Sequence, residues 1–204
     1  MGNPTIILAS GSAIRADILR SAGVPFEIIK PETDETVIKR AAKDDSAGLE
    51  ETAMMLAEAK CLNVARQLKA DKTDAIVIGS DQIMEFEGRG FDKPANMGEA
   101  RSRLKTLQGA THSLINAIAV ARHGSVIWRN IARPKLTMRP MSDTEIDAYL
   151  NAASADILYT VGAYQVEKLG ARLFERIEGD YFAVLGLTLY PLLDLLRSEG
   201  ALEF

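Results

Sequence analysis

Apolar and polar positions along this chain follow two periods. The run Thr5-Ile-Ile-Leu-Ala9 has strand length and ends in the small residues Ser10-Gly11-Ser12. Residues 13–22 then carry Ile14, Ile18, Leu19 and Ala22 on one side of a helix, which Gly23 and Pro25 stop. Phe26-Glu-Ile-Ile predicts a short strand, and the charged stretch 32–49 reads as a polar loop. A helix at 49–69 shows an apolar stripe of Ala53, Leu56, Ala57, Val64 and Leu68, and Ala75-Ile-Val-Ile-Gly79 follows as a strand. Asn96 and Glu99 form a capping signature for a helix ending near Gly109. Residues 112–122 and 125–138 read as a long antiparallel hairpin turning at His123-Gly124. Ser142 and Glu145 open a helix to about Asn151. Residues 189–199 form an amphipathic helix with Pro191 in its first turn and Gly200 just past its end. Strand and helix signals alternate early and β-rich segments dominate the middle, so the fold class is α/β. With no repeat, low-complexity tract or long linker, residues 1–204 are expected to form a single domain.

Composition narrows the chemistry. The chain has 204 residues, 47% of them hydrophobic, enough for one sizeable core. Its 24 basic and 28 acidic residues give a net charge of −4, which argues against holding nucleic acid by general electrostatics. An anionic ligand would need a local basic pocket. One cysteine, Cys61, excludes an internal disulfide, and two histidines with one cysteine cannot build a thiolate or imidazole cage. Any metal is expected to be a hard, oxygen-liganded divalent cation, Mg²⁺ or Mn²⁺. No apolar window has membrane-spanning length, the N-terminus has no basic n-region with a following h-region, and Ile6 occupies the hydroxyl position of a myristoylation motif. The expected location is therefore the cytoplasm, without a membrane partner.

Three places on the chain can carry chemistry, and each has a bland reading beside a sharp one. Ser10-Gly11-Ser12 joins a strand to a helix, where unpaired backbone N–H groups and the helix dipole favour an anion, with Arg15 adding a cation. Ser12 is equally suited to plain helix capping. Lys60 falls on the apolar stripe of its helix, four residues from both Leu56 and Val64, where it either snorkels to water or meets an anion. Asp81 follows the strand that ends at Gly79, placed to bind a hard cation or orient water, or simply to close a turn, and Lys93-Pro94 comes next. Together with the pair Asp34-Glu35 they supply fixed donors for phosphate oxygens and carboxylates for a bridging cation, the mixture that phosphoryl transfer needs. The P-loop pattern is absent.

At these residues the chain resembles the Maf proteins, which hydrolyse nucleoside triphosphates to the monophosphate and pyrophosphate. The likeness runs through Leu8-Ala-Ser-Gly-Ser-Ala-Ile-Arg15, Asp34-Glu35, Leu56-Ala-Glu-Ala-Lys60, Gly79-Ser-Asp-Gln82, Lys93-Pro94, Gly162-Ala-Tyr164, Leu173-Phe-Glu-Arg-Ile-Glu-Gly179 and Gly186-Leu187. The resemblance implies a strongly curved mixed sheet flanked by helices, similar to inosine triphosphate pyrophosphatases, with the active site in a cleft between two lobes. It implies that Asp81 is the catalytic proton acceptor. Ser12, Arg15, Lys60 and Lys93 would bind the substrate, and Glu35 would join Asp81 beside the metal ion. The partner is a small nucleotide, and a homodimer is compatible with the family.

Ser80, Gln82 and Glu167 resemble the subgroup that acts on 7-methyl-GTP, where the pyrimidine-specific subgroup carries Gly-Ala-Asp-Thr and a later glutamine. A carboxylate at Glu167 suits the donor groups on the guanine edge. Ile14 departs from the tryptophan common in that subgroup and offers no stacking face to a cationic purine. Thr188 stands in place of a family proline, with an effect expected to stop at the local turn. The alternatives are a pyrimidine (dTTP or UTP) or inosine/xanthosine triphosphate pyrophosphatase, and a non-enzymatic regulator of septum formation. Joint retention of Arg15, Lys60, Asp81 and Lys93 argues against the last.

Overall fold

Strand β1 (Ile6–Ala9) is buried at all four positions because it lies between two others, β2 (Glu27–Ile28) and β3 (Ile76–Phe86), both parallel to it. That double burial explains a continuous apolar run where a half-exposed strand would alternate. The computed structural model describes residues 3–68, 72 and 74–204. In it β1 is followed by α1 (Ala13–Ser21), and β2 by α2 (Glu35–Asp44) and α3 (Leu49–Gln67). After β3 come β4 (Arg89–Phe91), α4 (Met97–Leu107), β5 (Thr111–Arg122), β6 (Ser125–Ala132), β7 (Lys135–Met138) and α5 (Asp143–Ala152). Two 3₁₀ turns, Ala155–Tyr159 and Leu169–Leu173, lead to β8 (Phe174–Glu178), α6 (Tyr181–Val184) and α7 (Leu189–Ser198). The strands make one mixed sheet in the order β2-β1-β3-β5-β7-β8, with β4 paired to β3 and β6 to β5. No helix among the described residues is long and apolar enough to cross a membrane.

The chain divides into two compact units. The first comprises 1–81, 116–132 and 182–204, the second 82–115 and 133–181. In the first, the sheet residues Ile6, Leu8, Ile76, Ile78, Ile118 and Val120 pack with Ile18 and Leu19 of α1 and Leu192 and Leu196 of α7. Burying such side chains stabilises by roughly 1.5–3 kcal/mol each. In the second, Arg101 of α4 makes a bidentate bond to Asp147 of α5 at 2.6 and 2.9 Å. There the Tyr164 and Phe174 rings meet edge to face, and buried His112 shares a 2.5 Å hydrogen bond with the Tyr164 hydroxyl.

Several expectations change. The expected loop at 32–49 contains helix α2: the Asp34 side chain accepts from Thr36 N and Val37 N, and Ala42 is buried where α2 packs on α3. Two local signals mark this helix: Asp34 in the capping position, and Val37, Ile38, Ala41 and Ala42 recurring at helical spacing among the charges. Ala22 is exposed beyond the end of α1. Helix α3 ends at Gln67 and Leu68 lies outside it; residue 69 lies outside the described residues. The expected hairpin is divided into β6 and β7, with Pro134, which has no N–H for a ladder, between them. β8 pairs with β7 and was not expected. The capping sites at Asn96 and Ser142 are where the sequence put them, with a full capping box at Ser142, and α7 carries Pro191 in its first turn as expected.

Candidate active site

The site is assembled where parallel pairing ends. β1 and β3 run together as far as Ala9 opposite Gly79, and beyond that point β1 gives way to the Ser10–Ser12 loop. Strand β3 continues to Phe86, so Asp81 lies within a strand and not in the turn expected for it. The Asx-turn reading of Asp81 is thereby excluded. Its carboxylate, with side-chain exposure of only 11%, accepts a 2.5 Å hydrogen bond from Lys60 Nζ.

Gly79 makes that meeting geometrically feasible. A Cβ at Gly79 would overlap the Ala57 carbonyl oxygen and lie 2.8 Å from Cys61 N, so α3 approaches β3 as closely as it does only over a glycine. Lys60 then projects from the buried stripe of α3 onto Asp81 and also reaches Glu35 at 2.8 Å. The snorkelling reading of Lys60 fails, because its side chain is 12% exposed and lies between two carboxylates. Glu35 is in the first turn of α2 and is 45% exposed, while its neighbour Asp34 is committed to capping that helix. Next to Lys60, burial pushes the Cys61 thiol up to about 12, so it stays an inert core residue.

Arg15 is held from several directions. Its Nε donates to Gly186 O at 2.8 Å, and one Nη donates to Ser80 O at 2.9 Å and to Ser10 Oγ at 3.4 Å. Gly186 has φ +99°, and a Cβ there would come within 3.2 Å of Arg15 Nε. Desolvation lowers the Arg15 pKa, opposed by the nearby charges of Asp81 and Glu35, yet a guanidinium remains charged at any physiological pH. Ser12 occupies the N-cap position of α1, but its side chain makes no capping bond. Plain capping therefore does not account for that hydroxyl. Ser10 Oγ accepts from Ser12 N at 3.1 Å, so one N–H of the loop is already engaged.

The structure brings together Arg15, Lys60, Asp81 and Glu35, with Ser12 and half-buried Ile14 at the head of α1. The remaining sequence-derived candidates belong to the second unit. There Gln82 is half-buried on β3, Lys93 is exposed between β4 and α4, and Glu167 is exposed between the two 3₁₀ turns. Sequence reasoning missed Asn116 and the role of Thr188. Asn116 Nδ2 donates to Ser80 Oγ at 3.3 Å and to Asp81 O at 3.2 Å, and Thr188 Oγ1 donates to Asn116 Oδ1 at 3.0 Å. The effect of Thr188 thus extends well beyond its local turn. The available signal was an asparagine inside the apolar run Leu114–Ala121, since a buried polar residue requires partners.

The chain matches the family described as Maf-like protein over residues 5–199. It is 44% identical over 200 residues to a 7-methyl-GTP pyrophosphatase of Rhizobium meliloti, covering 98% of each chain. It is 45% identical over 197 residues to a nucleoside triphosphate pyrophosphatase of Maricaulis maris, covering 97% of each. A solved nucleoside-triphosphatase, a dITP/XTP pyrophosphatase of Mycobacterium abscessus, aligns with 96% of this chain and 94% of its own at 15% identity and TM-score 0.35. Matched from the first strand to the last helix, and bearing Arg15, Lys60 and Asp81 in one constellation, the chain belongs to the Maf-like protein family.

Proposed function

We propose that this chain is a nucleoside triphosphate pyrophosphatase, releasing pyrophosphate and the nucleoside monophosphate. The observation that carries the reading is the buried Lys60–Asp81 pair beside the anchored Arg15 guanidinium. Names borne by the relatives in Rhizobium meliloti and Maricaulis maris support it. In this reading Asp81 accepts the proton of the water that attacks the α-phosphorus. Arg15 neutralises charge on the triphosphate and on the departing pyrophosphate, held to its aim by three oxygen acceptors. Lys60, balanced by Glu35 and Asp81 in the free protein, supplies a second cation to the phosphates. The Ser12 hydroxyl, unused in capping, donates to a phosphate oxygen. A phosphate role for Lys93 rests on the family resemblance.

A divalent cation fits these residues. Glu35 and Asp81 are two hard oxygen donors gathered on one ammonium, and Mg²⁺ or Mn²⁺ is commonly held by one or two carboxylates with substrate phosphates completing its shell. Among the described residues no group of three or more His, Cys, Asp or Glu could hold an ion without such help. When bound, the ion supplies charge neutralisation of the triphosphate and acidifies bound water.

For the base we propose a modified purine such as 7-methyl-GTP, supported by Glu167 as a carboxylate acceptor and by the name of the Rhizobium meliloti relative. Turnover of a panel of nucleoside triphosphates, methylated ones included, with pyrophosphate and monophosphate quantified, tests both levels. Orthophosphate and nucleoside diphosphate as the products would refute the reaction. A preference for UTP or dTTP would refute the base.

A further inference from the structure

Asn116 is fully buried in the middle of β5, and both its amide nitrogen and its carbonyl oxygen bond groups around the site. Its amide donates to Ser80 Oγ and to Asp81 O, and its carbonyl accepts from Thr188 Oγ1. Ser80 Oγ in turn donates to Gly186 O at 2.9 Å, the same oxygen that accepts from Arg15 Nε. Ser80 O accepts from Arg15 as well. A closed polar circuit therefore joins four separate chain segments, and every member of it is satisfied. Thr188 shows that the circuit competes successfully with local structure. It occupies the N-cap position of α7, yet its hydroxyl caps nothing and goes to Asn116 instead.

We infer that Asn116, held by Thr188, is a positioning residue that fixes the Ser80–Asp81 segment and, through Ser80 and Gly186, the aim of Arg15. Neither Asn116 nor Thr188 need touch the substrate. The inference rests on the pyrophosphatase reading for its kinetic readout and on polyphosphate binding by Arg15 for a second, separate one. Removing the Asn116 amide leaves Ser80 Oγ and Asp81 O to find new partners, and the two groups that must act together lose their common reference. Position errors of this kind reduce turnover steeply, whereas a purely structural asparagine would lower stability and leave turnover of the folded protein intact.

The test compares Asn116→Leu, Thr188→Val and Thr188→Ser in full-length protein, measuring kcat and KM, thermal midpoint, and affinity for inorganic tripolyphosphate by calorimetry. Asn116→Leu should lower both kcat and tripolyphosphate affinity by about tenfold or more. Thr188→Val should lose roughly 3- to 10-fold in the same two quantities, and Thr188→Ser, which keeps the hydroxyl, should stay within about twofold of wild type. The double variant Asn116→Leu/Thr188→Val should be no worse than Asn116→Leu alone, because the threonine acts through the asparagine. Unchanged kcat and affinity with only a lowered midpoint overturn the inference, as does equal loss in Thr188→Ser and Thr188→Val. If Asn116→Leu does not fold, the two threonine variants decide. A wild-type protein that releases no pyrophosphate refutes the function reading by itself; tripolyphosphate affinity equal in wild type and Thr188→Val, or absent in both, then overturns this one.

Discussion

Replacing Asp81 with asparagine preserves shape while removing one charge from the Lys60 pair, and the structure sets the size of both consequences. The attraction between unit charges is about 4 kcal/mol at 4 Å in a medium of effective dielectric 20, and the desolvation of two largely buried groups offsets most of it. Lys60 also keeps Glu35 at 2.8 Å, so no charge is left uncompensated. The stability cost should therefore be only about 1–2 kcal/mol, well below the ~3–5 kcal/mol of a buried pair broken outright. Turnover should fall far more, by roughly 10²-fold or greater, equivalent to about 2.7 kcal/mol of transition-state stabilisation, because the amide cannot accept the proton of the attacking water. KM should change less than kcat: the variant presents less negative charge to the triphosphate, which offsets the loss of one of the two carboxylates that would hold the divalent cation. The assay is steady-state pyrophosphate release over a range of Mg²⁺ concentrations, with urea denaturation of the same samples. Turnover within about threefold of wild type, or a raised KM at unchanged kcat, would remove Asp81 from the chemistry assigned to it.

Glu167→Gln should cost about 1–3 kcal/mol in kcat/KM for 7-methyl-GTP and less for UTP, and Ile14→Trp should raise activity on 7-methyl-GTP by stacking; parallel changes on the two substrates would show that neither residue reads the base. Burial holds the His112 pKa down at about 4, below its ordinary value of 6.5, so the unfolded chain takes up the proton first and stability falls as pH drops through that interval. The loss amounts to about 3 kcal/mol by pH 4, and His112→Phe should flatten that part of a urea-midpoint profile; an identical slope in the variant would contradict it. Gly79→Ala forces its methyl into the backbone of α3 and should destabilise by about 1–3 kcal/mol or more, with turnover falling as Lys60 is displaced from Asp81; a denaturation midpoint equal to wild type would refute the close approach.

Much of the architecture is written in local signals. The continuous apolar run of β1, the stop at Gly23, the caps at Asn96 and Ser142 and the turn at His123-Gly124 each depend on residues within a few positions of one another, so the amino-acid order alone determines them. The candidate residues were legible for a related reason: a lysine on an apolar stripe and hydroxyls between a strand and a helix are anomalies of pattern. What pattern cannot convey is the partner. Asp81 meets Lys60 across 21 positions and Arg15 meets Gly186 across 171, contacts created only when α3 packs over Gly79 and the loop before α7 closes on β3. The same holds for the choice between readings. Ser12 could cap and Thr188 could cap, and tertiary packing left the first hydroxyl without a capping bond and gave the second to Asn116. Helix α2 is the converse case, where Val37, Ile38, Ala41 and Ala42 at helical spacing and the cap at Asp34 are local signals set among many charges, and α2 packs on α3 with Ala42 buried. Sequence by itself determined the elements and the inventory of reactive groups; which groups face one another, and which hydrogen bond each prefers, was decided by burial, because only there does an unmade polar contact cost enough to select one arrangement.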